Sequence, residues 1–129
     1  MELGVGVDLV NMSRVRDAVE TAGNLFLDKV FTPWEQRRAE KHADPVAYFA
    51  MTFAAKEAIF KTFGIGWETG VQLTEIERSN GGFGQPRPVL AGRFVELASQ
   101  RGAAQVLLSL SYDGEYAVAV ATLVAGEAS

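Results

Sequence analysis

The sequence predicts an α+β fold: a small antiparallel sheet packed with a long central buried helix and shorter helices. Three observations predict it. Glu2–Val10 alternates apolar and small or polar residues with period two, the signature of a strand. Near the other end, two apolar runs flank Asp113-Gly114, a strong hairpin turn. Between them, Asp44-Pro45 and Gly64/Gly66 bracket a run that is apolar on two sides at helical spacing.

Composition sets the outer limits. The 129 residues make one domain, 1–129, with 48% apolar and 22% charged residues, ordinary for a globular protein and contrary to disorder. With no cysteine there is neither a disulfide nor cysteine-ligated zinc. No apolar run reaches the ~18 residues that span a bilayer. Met1-Glu-Leu-Gly lacks the basic start of a signal peptide, so the expected location is the cytoplasm, away from membranes. A net charge of −4 argues against nucleic acid as a partner. Yet Arg14, Arg16, Lys29, Arg37, Arg38 and Lys41 concentrate half of the basic residues between positions 14 and 41.

In chain order, Leu3, Val5, Val7 and Leu9 form what reads as the conventional core face of the first strand. The opposite face carries Gly4 and Gly6, which let a backbone or ligand come close, and then Asp8. Asn11 or Ser13 can cap a short helix with Val15, Ala18, Val19 and Ala22 on its apolar stripe, ended by Gly23. Leu25–Val30 is apolar without a decisive period. Thr32-Pro-Trp-Glu35 predicts a capping box and opens a polar, surface-lying helix through His42, itself read as a solvated helix-end residue.

The central helix follows. At 100° per residue, Phe49, Phe53, Phe60 and Phe63 form one arc; Met51, Ala54, Ala55, Ala58 and Ile59 form another. Glu57 and Lys61 lie on the seam. They are either an i,i+4 surface pair worth ~0.3–0.5 kcal/mol or part of a site. Beyond it, Leu73–Arg78 reads as a strand, Ser79–Gly84 as a turn or loop, and Gln85-Pro-Arg-Pro88 as extended chain. A helix over about Ala91–Gln100 should bury Phe94, Val95, Leu97 and Ala98 and stop at Gly102. Gln105–Ser111 and Tyr116–Val124 form the hairpin. Their apolar character on both faces places them centrally in a sheet or at a subunit interface.

Asp8 on its glycine-flanked strand, Glu57 on the helix seam and Lys61 one turn further form the candidate site. Two carboxylates without Cys or His partners suit a hard cation, best Mg²⁺, which commonly takes water and substrate phosphate as its other ligands. A lysine beside it would balance phosphate charge. Phosphoryl chemistry is the reading these residues favour.

The same residues carry a resemblance. Gly4-Val-Gly-Val-Asp-Leu-Val10, Phe53-Ala-Ala-Lys-Glu-Ala-Ile-Phe-Lys-Thr-Phe-Gly64, Gly84-Gln-Pro86 and Leu108-Ser-Leu-Ser111 follow one another as in the short bacterial holo-acyl-carrier-protein synthases of the phosphopantetheinyl transferase family. The chain resembles that family over nearly its whole length. The resemblance implies a phosphopantetheinyl transferase-like fold and an enzyme that moves phosphopantetheine from coenzyme A to a serine of an apo acyl carrier protein. Adenosine 3′,5′-bisphosphate would leave, in the service of fatty-acid biosynthesis and lipid metabolism. It implies Mg²⁺ on Asp8 and Glu57, with Glu57 also a candidate to activate the attacking hydroxyl, and Lys61 at the transferred phosphate. Gly64, Pro86, Ser109, Ser111 and Tyr112 would line the coenzyme A pocket, and Arg14 would meet the acidic carrier protein. It further implies a homotrimer with active sites between subunits. Three positions depart from the family pattern: Thr52 and Tyr112 stand where Arg and His are usual, and Gln85 replaces the Gly-Lys-Pro lysine. Those departures motivate the alternative, a carrier-protein-binding homologue with impaired transfer, and leave room for a specialised pathway.

Overall fold

A computed structural model of the chain describes residues 1–79 and 85–126. The expected Ser79–Gly84 turn therefore lies, from position 80, outside the described residues. Strand β1 (Glu2–Asn11), β4 (Ala103–Asp113) and β5 (Tyr116–Ala125) form a three-stranded antiparallel sheet in the order β1-β5-β4. Between β1 and β4 the chain makes α1 (Met12–Ala22), α2 (Asn24–Val30), α3 (Pro33–Glu40), α4 (Pro45–Thr62), the two-residue strands β2 (Ile76–Glu77) and β3 (Val89–Leu90), and α5 (Arg93–Arg101). The expected α+β arrangement is the observed one, with α4 lying across one face of the sheet.

Local signals explain most of the boundaries. Asn11 caps α1 by accepting from the Ser13 N–H at 3.0 Å, and Asp44 caps α4 through the Ala47 N–H at 3.1 Å. Thr32 and Glu35 complete the capping box of α3. Gly102 ends α5 in the left-handed region at φ 68°.

The contact between α4 and the sheet is made of small residues. Ala47, Ala50, Ala54, Ala55 and Ala58 on α4 and Ala117, Ala119 and Ala121 on β5 are all essentially inaccessible. On β1 the matching positions are Gly4 and Gly6. A Cβ there would stand 2.1 Å from the Thr62 carbonyl oxygen and 2.0 Å from that of Ala58, so only glycine lets the helix backbone come so close.

That geometry corrects the expectation for β1. The glycine face, with Val10 1% exposed, is the core face, whereas Val5, Val7 and Leu9 are 65%, 56% and 59% exposed on the other side of the sheet. Strict alternation distinguishes two faces without saying which one is covered. The cross-strand register carries the open face onward through Val7–Val120–Ser109 and Val5–Thr122–Leu107.

Three further expectations change. Leu25–Val30 is helical within α2, with Leu25 exposed. Leu73–Arg78 is mostly not strand: Leu73–Glu75 is a 3₁₀ turn and only Ile76–Glu77 pairs, with Val89–Leu90. The reason is local, since Gln72 and Glu75 form a capping box and the other Glu75 carboxylate oxygen accepts from the Arg93 N–H. Helix α5 starts at Arg93 rather than Ala91, after Gly92 at φ 55°, and Val95 is exposed while Phe94 and Leu97 are buried.

Candidate active site

Because Gly6 lies against Ala58, the next turn of α4 is drawn over the end of the glycine track. Lys61 Nζ donates to Asp8 Oδ1 at 3.1 Å and to the Val7 carbonyl at 3.0 Å. The lysine's ion pair is thus with Asp8 on the neighbouring strand, and the i,i+4 surface-pair reading with Glu57 gives way. Glu57 stands one turn earlier and is half-buried. Burial pushes its carboxyl above the usual carboxylate range, the Asp8 charge pushes it further, and Lys61 and Arg14 pull it back. Four charged groups from β1, α1 and α4 therefore share one field: Asp8, Arg14, Glu57 and Lys61.

The chemistry of this donor set fits a magnesium ion of a particular kind. Asp8 and Glu57 offer hard oxygens and repel each other, a repulsion that a divalent cation relieves. Among the described residues no cluster of three or more His, Cys, Asp or Glu side chains converges, so Asp8 and Glu57 are the carboxylates these residues offer here. Two carboxylates with water and phosphate completing the shell is the arrangement Mg²⁺ commonly takes.

The other expected site residues fall into separate places. Arg14, exposed on α1, lines a cleft with Val10, Val15, Ala18, Phe26 and Phe53 on the Glu57 side of the molecule. Gly64 follows α4 directly at φ 63° with open space around it. Pro86 sits over the β4 edge, lining a cavity of about 200 Å³ with Gln85, Arg87 and Gln105–Leu108. Ser111 and Tyr112 line another of about 440 Å³ with Leu9, Asp113, Tyr116 and Val118. Ser109, paired with Val120 and through it with Val7, belongs to the open face of the sheet. Asp8, paired with Ala119 and through it with Leu110, belongs to the α4 face. A single chain thus brings together Asp8, Glu57, Lys61 and Arg14, and keeps Ser109 and Ser111 on the opposite side of the sheet.

A second charged cluster escaped the sequence reading. Lys56, on α4 next to Glu57, is fully buried and pairs with the equally buried Glu35 of α3 at 2.7 Å. Its ammonium also donates to the carbonyls of Leu73 and Ile76 at 2.9 and 2.6 Å. Glu35, expected only to complete a surface capping box, accepts the Arg78 N–H at 2.6 Å as well. Burial lowers the pKa of Lys56, and Glu35 opposes that shift. The available signal was a lysine inside an otherwise apolar helix arc. Arg78 also donates to Thr52 Oγ1 at 2.9 Å and stacks over Tyr48 at 4.4 Å. A guanidinium thus stands beside the position where the resembled family has arginine, though it comes from elsewhere in the chain.

Comparison with known proteins agrees with this architecture. Residues 4–121 match the model of the 4′-phosphopantetheinyl transferase superfamily. The holo-[acyl-carrier-protein] synthase of Desulforudis audaxviator is 42% identical over 124 residues, 96% of this chain and 94% of that protein. That of Trichlorobacter lovleyi is 39% identical over 97% of this chain and 99% of its own. Among solved structures, the synthase of Neisseria meningitidis superposes with a TM-score of 0.87 at 28% identity, over 95% of this chain and 98% of that one. The synthase–CoA complex of Chronobacterium ammoniagenes superposes at 0.80 with 30% identity, over 96% and 98%. The chain belongs to the 4′-phosphopantetheinyl transferase superfamily, as an enzyme of the holo-acyl-carrier-protein synthase type.

Proposed function

We propose that this chain transfers the phosphopantetheine group of coenzyme A to a serine of an apo acyl carrier protein, depends on Mg²⁺, and releases adenosine 3′,5′-bisphosphate. The observation that carries the reading is the convergence of Asp8, Glu57 and Lys61 where α4 meets the glycine track. The relatives named holo-[acyl-carrier-protein] synthase and the CoA-bound Chronobacterium ammoniagenes enzyme support the substrate pair.

In this reading Asp8 and Glu57 hold the magnesium ion. When bound, the ion neutralises pyrophosphate charge as the phosphoryl group moves. Lys61, half exposed and bonded to Asp8 and the Val7 carbonyl, stands where its ammonium would meet a phosphate oxygen held at Asp8 and Glu57. Glu57 is also the candidate to accept the attacking hydroxyl's proton, directly or through water. Arg14 at the mouth meets the acidic carrier protein and steers it. Gly64, Pro86, Ser109, Ser111 and Tyr112 bind coenzyme A.

The last group requires an assembly. Ser109 and Ser111 share the open sheet face with Val5, Val7, Leu9, Leu107 and Val120, an exposed apolar surface of the kind that marks a protein interface. A homotrimer in the cytoplasm, with each site formed between subunits, would cover that face and bring these serines to a neighbour's Asp8 and Glu57.

Incubating an apo acyl carrier protein with the chain, coenzyme A and Mg²⁺ should add the mass of phosphopantetheine to the carrier. Asp8→Ala and Glu57→Ala should each abolish nearly all transfer while the protein stays folded. Normal transfer by the double variant would refute the metal assignment. Absence of coenzyme A binding in a calorimetric titration would refute the enzyme reading in favour of a carrier-binding homologue.

A further inference from the structure

We propose that Lys56 is a positioning residue for the co-substrate. With Glu35 and Arg78 it fixes the segment Val71–Arg78 both as a wall of the cavity beside α4 and as the strand paired with Val89–Leu90, close in sequence to Pro86. The inference rests on the transfer reading above.

The geometry of the junction is complete. An ammonium has three protons, and Lys56 spends them on Glu35 Oε1 and the carbonyls of Leu73 and Ile76. Glu35 Oε1 also accepts the Thr32 N–H at 2.9 Å, and Oε2 takes the Arg78 N–H. One buried ion pair thereby ties α3, α4 and two ends of a short segment together. The segment has little structure of its own: a single 3₁₀ turn and a two-residue strand. Beyond that junction it is held by the pairing of Ile76–Glu77 with Val89–Leu90, closed by the Arg87 N–H donating to the Ser79 carbonyl at 2.7 Å, and by Glu75, which accepts from the Ala91 and Arg93 N–H groups. Where Lys56 places Leu73 and Ile76 therefore decides where Pro86 arrives over β4.

The same segment shapes a cavity on α4 that reaches to within one helical turn of Glu57. A cavity of about 670 Å³ opens beside α4, lined by Phe53, Trp67, Val71, Gln72 and Leu73 with Lys29 and Val30 opposite. Phe53 is one helical turn before Glu57. Trp67 stacks on Phe60, three residues after Glu57, with ring centroids 4.1 Å apart. Glu57 does not itself line the cavity; it lies on α4 between Phe53, which does, and Phe60, on which the lining Trp67 stacks, and one wall of the cavity is the stretch of chain that Lys56 holds. Displacement of such a wall by an ångström is enough to disturb a bound substrate's alignment.

A buried ion pair is a poor device for stability alone, because apolar residues of similar volume commonly do as well or better. That makes the decisive variant the pair Glu35→Gln with Lys56→Met. Gln keeps an acceptor oxygen for only one of the Thr32 and Arg78 N–H groups, and Met leaves the Leu73 and Ile76 carbonyls without their donor, but neither member of the ion pair is left as a lone charge. The double variant should melt below the wild type for the hydrogen bonds it loses but remain folded at the assay temperature, and raise the KM for coenzyme A by about 10-fold or more with kcat within about 3-fold. Thr52→Val, which removes the oxygen that holds Arg78, should move KM in the same direction by a smaller factor, and it carries the test alone if the double variant does not fold. An unchanged KM, or a fall in kcat at constant KM, overturns the proposal. A wild-type chain that transfers nothing would instead sink the transfer reading, and the two variants are then compared by direct titration with coenzyme A.

Discussion

Helix α4 carries two lysines five residues apart with opposite circumstances. Lys56 and its partner Glu35 have side chains 1% and 0% exposed, and each has its hydrogen-bonding capacity taken up by fixed groups. Lys61 and Asp8 are 49% and 18% exposed, and beside them Glu57 is held in a field that resists its ionisation. The difference separates structure from chemistry. A fully satisfied pair has nothing left to offer a ligand, whereas two carboxylates crowded against one mobile ammonium improve when a cation and a phosphate arrive.

The largest expected effect tests that separation directly. Lys56→Met alone leaves the Glu35 carboxylate buried without its counter-charge and should cost about 3–5 kcal/mol of stability. Lys61→Met should leave the melting temperature nearly unchanged, while transfer to the carrier protein falls by about 10²–10³-fold. Denaturant melts and the mass-shift assay read the two quantities independently. If Lys61→Met unfolded the protein and Lys56→Met merely slowed it, the assignment of the two lysines would have to be exchanged.

The glycines allow a finer cut. Gly6→Ala drives a Cβ into the Ala58 carbonyl, which is backbone and cannot step aside, so about 1–3 kcal/mol should be lost. Since the same contact brings Lys61 to Asp8, transfer should fall further than the fraction of folded protein does. Gly102→Ala meets no neighbour and is strained only by its positive φ, for about 1–2 kcal/mol. The test compares activity per folded molecule in the two variants. Equal values would show that the close approach of β1 and α4 does not position the site.

How much of this the sequence already contained depends on the kind of signal. Caps and turns at Asn11, Thr32, Asp44, Gly102 and Asp113-Gly114 are local chemistry and were legible. The glycine track was legible as a close approach, but not as the core face, because the helix it admits lies some fifty residues away. Glu35 looked like a cap residue because its second partner, Lys56, is visible only once α3 folds against α4. Asp8, Glu57 and Lys61 were singled out from their spacing and from the family resemblance. Their convergence depends on the α4–β1 contact, which no local pattern encodes.

The open sheet face offers the next test. Val7→Lys places a charge among Val5, Leu9 and Val120, on the sheet face opposite the Asp8 and Lys61 side chains. Light scattering on the wild type should give about three times the 13.9 kDa of one chain, and the variant should fall towards a single chain. Transfer should be lost with the assembly, because Ser109 and Ser111 lie on that face. A variant that stays monomeric and transfers normally would place the whole site within one chain.

The smallest effect is expected at a third ion pair, which shows what a salt bridge contributes when it is neither buried nor reactive. Arg16 and Glu115 meet in a bidentate contact at 2.7 and 2.9 Å, joining α1 to the hairpin turn with both groups exposed. Hydrogen bonding to the guanidinium holds the Glu115 carboxyl below its ordinary value. A depressed folded-state pKa contributes stability above the unfolded-state value, and that contribution disappears as pH falls through the folded-state value. Glu115→Gln should therefore lower the melting temperature only slightly at neutral pH. The gap should shrink in high salt and close on acidification below the carboxylate range. Transfer should be unaffected, for this pair touches neither the Asp8 cluster nor the Lys56 junction. A loss as large as that of Lys56→Met would mean that depth of burial does not distinguish the ion pairs of this protein.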